Sequence, residues 1–183
     1  MLLEAMKNHE RSRNNIQGRK SMTQKISVRF MAQAAIIAAV YVVLTIVFAP
    51  ISFSEIQVRI AEALTILPVY TAAAVPGLVV GCLLGNIIGG APMPDVVFGT
   101  AATLIGAMGT RLLRSRKPVI AVIPPIAANT VIIPFVLRYA YEVPLPIPLM
   151  MATVGLGEAI SCGMLGSLLY KALLPYRNSV FES

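Results

Sequence analysis

The amino-acid sequence predicts an all-α integral membrane bundle of six transmembrane helices with both termini in the cytoplasm. Three observations carry this expectation. The 183 residues are 57% hydrophobic and only 13% charged, whereas soluble domains run near 45–50% and about 25%. Apolar stretches of roughly 20 residues, the length that crosses about 30 Å of hydrocarbon, follow one another between breaks rich in proline and glycine. The Lys and Arg residues gather in three places, and their spacing fixes the parity of the spans.

The first span runs from Val28 to Ala49 and stops at Pro50, with Ile51–Glu55 as a short loop. A second, less regular span covers Ile56 to Ala74 and contains Arg59 and Glu62. Val75-Pro76-Gly77 is a turn signal. A Gly-rich third span, Leu78 to about Gly90, ends in Gly89–Asp95, whose glycines and prolines cannot continue a helix. The fourth span, Val96 to Leu113, is closed by the basic Arg114–Lys117. Val119 to Tyr141 is the fifth; the proline-stiffened Glu142–Pro148 separates it from the sixth, Leu149 to Leu174.

Charge decides whether residues 56–90 are one span or a hairpin. Of the 15 Lys and Arg, seven lie at or before Arg29, four at Arg111–Lys117, and two at Lys171 and Arg177. Basic residues near span ends favour the cytoplasm, so an even number of spans must separate the clusters. Four then precede Arg114 and two follow it, which makes residues 56–90 a hairpin. The organisation is therefore a basic tail over 1–25, expected to be disordered, a membrane domain over 26–174 and a short cytoplasmic tail over 175–183. Met22 is a candidate true start.

Several function classes are disfavoured. The net charge of +7 reflects topology signals, because the basic residues form no stripe interleaved with aromatics as a nucleic-acid surface would. Cys82 and Cys162 lie beside glycines in apolar stretches, and the lone His9 is in the polar tail. This spacing predicts no metal site and no disulfide framework, only small packing residues. No G-x-x-x-x-G-K-[ST] loop is present and no serine or cysteine has a histidine partner, so the chain is not expected to be an enzyme or to use a cofactor.

Ionisable side chains at membrane depth suggest function by default. At about 1.5 Å of rise per residue, Glu62, Asn86, Asp95 and Glu158 fall in the outer half and Asn129 near the middle. That pattern describes a pocket open to the outside. Each residue has a plainer reading beside the functional one. Glu62 could pair with Arg59 at i, i+3; Asp95 reads foremost as a helix N-cap beside Pro94; Asn86 and Asn129 could bond between helices. Glu158, in V-G-L-G-E (Val154–Glu158), has no cation nearby on its own helix and is the foremost ligand candidate. The pairs Ala34/Ala38 and Ala35/Ala39 allow close helix approach, either within the bundle or to a separate membrane partner.

Five motifs in order resemble the QueT family of substrate-binding S components of energy-coupling factor (ECF) transporters. They are I-Q-V-R-I-A-E-A-L-T-I-L-P (Ile56–Pro68), V-P-G-L-V-V-G-C-L-L-G-N (Val75–Asn86), P-D-V-V-F-G-T-A-A-T-L (Pro94–Leu104), P-P-I-A-A-N-T (Pro124–Thr130) and V-G-L-G-E. The resemblance covers residues 26 to about 174 and excludes the tail before Met22. It implies a six-helix S component in the bacterial cytoplasmic membrane, taking up a queuosine precursor, a deazaguanine base such as queuine. It further implies a transmembrane coupling protein and two ATPases on other chains, with the alanine-rich first helix facing the coupling protein. A guanine-like base presents adjacent N–H donors beside a carbonyl. A carboxylate can accept both donors and an Asn amide can donate to the carbonyl. The expected readers are Glu158 or Glu62 for the donor edge and Asn129 or Asn86 for the carbonyl, with Phe53 or Phe98 stacking on the ring. The rival readings are an S component for another vitamin-like molecule and a stand-alone facilitator.

Overall fold

The computed structural model describes residues 28–49 and 59–177. Phe53, Met22 and most of the two tails lie outside the described residues. Among the described residues there is no strand, and the chain folds into six helices: α1 (Val28–Val47), α2 (Ile60–Val69), α3 (Ala74–Ile88), α4 (Met93–Leu112), α5 (Pro118–Tyr139) and α6 (Ile147–Tyr176). Three of them, α1, α5 and α6, are long and apolar enough to cross a membrane. Most boundaries fall close to those expected, but α3 starts at Ala74, so Val75-Pro76-Gly77 forms its first turn, where proline is tolerated, and not a turn between spans. Prolines occupy the first turns of α4, α5 and α6, where a missing N–H costs nothing. Beyond α3 the chain turns at Gly90 with φ of 75°, a conformation glycine adopts without strain.

The second element departs from expectation. In place of a span over 56–74, α2 is a 3₁₀ helix of ten residues with Pro68 inside it. At about 2.0 Å per residue it reaches roughly 20 Å, less than the hydrocarbon thickness. Every residue from Ala61 to Pro68 is buried, and α2 packs against α1, α3, α4 and α6. It is the hub of the bundle, which explains why its carboxylate is so deep.

Glycines set the closest approaches. On α3, Gly77, Gly81 and Gly85 repeat every four residues and face α1; a Cβ on Gly81 would lie 2.7 Å from the Tyr41 Cβ and 3.1 Å from Ala38. On α4, a Cβ at Gly106 would meet Pro125 of α5 at 2.7 Å. The α1 alanines divide accordingly. Ala34 and Ala38 are turned toward α3, while Ala35 and Ala39 are exposed on the outside of the bundle.

The last helix changes winding along its length. Ile147–Glu158 is α-helical, Ala159–Leu165 is a π-helix, Gly166–Leu173 is α-helical again, and Leu174–Tyr176 tightens to 3₁₀.

Candidate functional site

Two buried polar clusters are organised around α2. The first contains the carboxylates of Glu62 and Glu158, which are 1% and 2% exposed. The Tyr41 hydroxyl, from α1, donates to Glu62 Oε1, and Thr65 donates to the Glu62 carbonyl at 2.6 Å. Glu158 is the last residue before the π-helical turn. Its Oε2 accepts from the Cys162 thiol, four residues on, at 3.1 Å. Ligand atoms of Glu62, Glu158 and Cys162 all lie within 4.8 Å of one another. Asn129 of α5 stands beside Glu158 and Thr103 of α4 beside Glu62. Glu62 Oε2, Asn129 Nδ2 and Thr103 Oγ1 are buried without a hydrogen-bond partner.

The second cluster is built on an ion pair. Arg59 sits in extended backbone just before α2, and its Nη2 donates to Asp95 Oδ2 at 2.9 Å with both side chains buried. The Tyr141 hydroxyl donates to the same oxygen at 2.7 Å. Asn86 Nδ2 donates to the Asp95 backbone carbonyl at 3.3 Å. Gly99 leaves the room: a Cβ there would stand 2.8 Å from Asp95 Oδ1 and 3.2 Å from Asn86 Nδ2. The plain readings of Asp95 and Glu62 are therefore both revised. Asp95 lies inside the first turn of α4 and makes no side-chain cap bond; it is the partner of Arg59. The extended backbone at Arg59 carries its guanidinium toward Asp95, and the Glu62 carboxylate bonds to Tyr41.

Of the residues expected to meet a ligand, Glu158, Glu62 and Asn129 come together. Asn86 and Asp95 belong to the second cluster. Phe98 is 54% exposed and borders an apolar groove of about 440 Å³ between α4 and α5, with Val131, Phe135 and Tyr139; neither carboxylate lines that groove. Tyr41, Cys162, Thr103 and Tyr141 escaped sequence reasoning. Only Cys162 carried a signal, its four-residue spacing from Glu158, which puts both on one helical face.

Chemically, the first cluster offers unspent acceptor capacity on a carboxylate next to an unspent amide donor. A buried polar atom left unpaired costs about 1–3 kcal/mol, so a ligand presenting both donors and an acceptor relieves several such costs at once.

Neither a curated protein nor a solved structure matches the chain. A family model described as QueT transporter matches residues 31–175, from within α1 almost to the end of α6. Its span takes in nearly all of the apolar bundle and both polar clusters, and the chain belongs to the QueT transporter family.

Proposed function

We propose that this chain is the membrane-embedded S component of an ECF importer for a queuosine precursor, a deazaguanine base such as queuine. The match to the QueT transporter family over residues 31–175 carries this reading, and the open carboxylate–amide cluster supports it. The protein sits in the cell membrane as a multi-pass bundle with both ends in the cytoplasm, as the distribution of Lys and Arg suggests. Glu158 and Glu62 accept from the N–H edge of the base, and Asn129 donates to its carbonyl. Such charge-assisted bonds in a dry site discriminate strongly, because a base lacking the donors leaves a buried carboxylate unpaired. Energy comes from a transmembrane coupling protein and two ATPase subunits on other chains. Ala35 and Ala39, exposed on α1, are the pair available to the coupling protein, since Ala34 and Ala38 are engaged with α3.

The test is a binding assay on purified protein with queuine, guanine and a set of vitamins. Queuine is expected to bind and the vitamins not to; a vitamin bound in its place would overturn the cargo. Glu158→Gln is expected to abolish base binding while leaving assembly with the coupling protein intact. Uptake that is equally fast without the ATPases would sink the coupled mechanism.

A further inference from the structure

Glu158 and Cys162 stand four residues apart on α6, with Oε2 and Sγ at 3.1 Å. Glu62 reaches them from α2, and ligand atoms of the three buried side chains all lie within 4.8 Å of one another. A zinc ion bonds thiolate sulfur at about 2.3 Å and carboxylate oxygen at about 2.1 Å, which at tetrahedral angles sets those two atoms about 3.6 Å apart. The Cys162–Glu158 pair therefore needs to open by only roughly 0.5 Å to share such an ion. Two ligands at i, i+4 on one helix is also the spacing by which H-E-x-x-H helices present two histidines to one zinc. Sequence spacing alone does not show the site, since its third ligand comes from α2.

The polar atoms left without a bond point the same way. Glu62 Oε2, Thr103 Oγ1 and Asn129 Nδ2 are buried with no hydrogen-bond partner among the described residues. Thr103 and Asn129 are 1% and 3% exposed. Thr103 stands beside Glu62 and Asn129 beside Glu158, so α4 and α5 each bring one donor to the rim of the cluster. Buried charges are paired or coordinate metals, and Glu62 Oε2 has lone pairs that nothing accepts. A hydroxyl and an amide beside the two carboxylates supply the hydrogen bonds that orient ligating oxygens.

We propose that Glu62, Glu158 and Cys162 form a site for one borderline-soft divalent cation of the zinc class, with a fourth coordination position open. The sulfur selects against Mg²⁺ and Ca²⁺, which take oxygen ligands. On binding, the Cys162 S–H bond breaks, its proton leaves to solvent, and a sulfur lone pair forms the bond to the ion. The Cys162–Glu158 hydrogen bond is lost in the same step and Oε2 turns to the ion. No electron is transferred. This inference does not rest on the deazaguanine reading, although ion and base would compete for the same carboxylate lone pairs.

The experiment titrates the full, untagged chain in detergent with Co²⁺, whose bonds to sulfur absorb in the near ultraviolet. A sulfur-to-cobalt band should grow to one ion per chain, and Zn²⁺ but not Mg²⁺ should abolish it. Cys162→Ser should remove the band and weaken Zn²⁺ binding at least about tenfold, and Glu158→Gln should weaken it by a similar factor. Cys82→Ser should change neither, because Cys82 is outside the ligand set and accepts from Asn86 at 3.6 Å. Absence of the band in the unaltered chain overturns the proposal whatever the variants do. A band that survives Cys162→Ser, or that Mg²⁺ abolishes as readily as Zn²⁺, overturns it too. Queuine is titrated alongside: queuine unbound with the cobalt band intact would overturn the base reading alone, and queuine bound with no band would overturn the ion site alone.

Discussion

Arg59 and Glu62 are three residues apart at the start of α2, both buried, yet their surroundings are built on opposite charge balance. Arg59 meets Asp95 at 2.9 Å, and Tyr141 and Asn86 complete that cluster from two further elements. Positive and negative charge cancel on the spot. Glu62 instead has a second carboxylate, Glu158, close by with a thiol between turns, and its Oε2 is left without a bond. The first arrangement ties α2, α3, α4 and the α5–α6 connection together around a cancelled pair of charges. The second is stable only at a cost, which a ligand with donor groups would offset. A brace and the proposed ligand site lie within one turn of each other, so substitutions can separate them.

The sharpest separation is expected from Asp95→Ala. Removing one partner of a buried ion pair costs about 3–5 kcal/mol, which should appear as a large drop in the thermal unfolding temperature in detergent. An unchanged melting curve would mean that Asp95 is not the brace. Gly99→Val comes next, because its Cβ would stand 2.8 Å from Asp95 Oδ1; overpacking of this kind costs about 1–3 kcal/mol and should lower stability by the same assay.

Tyr41→Phe tests the other side of the comparison. It deletes the hydroxyl that donates to Glu62, a bond to a charged group worth about 1.5–3 kcal/mol. Calorimetry with queuine should show weakened binding, with a smaller change in melting than Asp95→Ala produces. The reverse ranking would assign Tyr41 to the brace. The smallest effect is expected from Tyr70→Phe, which loses one bond to the Tyr170 carbonyl, about 1 kcal/mol. Melting should shift slightly and affinity for the base should not change.

Much of the scaffold was legible in the sequence because its punctuation is covalent. The Gly89–Asp95 stretch and the Glu142–Pro148 run stop or start helices by removing donors or permitting turns, whatever packs around them. The winding of α2 was not legible: its burial on all sides is a tertiary fact, and an apolar decamer reads equally as part of a longer α-helix. Rotation about helix axes was lost for a related reason. When core and lipid are equally apolar, hydrophobicity does not tell inward from outward faces, so the exposure of Phe98 and the division of the alanines had to come from the structure. The candidate carboxylates could be named from their depth alone. Their mutual distance could not, because Glu62 and Glu158 lie on α2 and α6, far apart in the sequence.

The π-helical stretch Ala159–Leu165 fixes a phase relation along α6. Each residue of an α-helix advances about 100° around the axis. A wider turn therefore leaves the C-terminal half rotated relative to where a uniform helix would have carried it. Rewinding residues 159–165 as an α-helix at constant length would swing Leu169, Leu173 and Arg177 around the axis by about 100° if Glu158 kept its place, whereas deleting a single residue there would restore uniform winding and keep their facing. The two ends of α6 are thus gears set at a particular offset, and the one extra residue in the wide turn is what sets it.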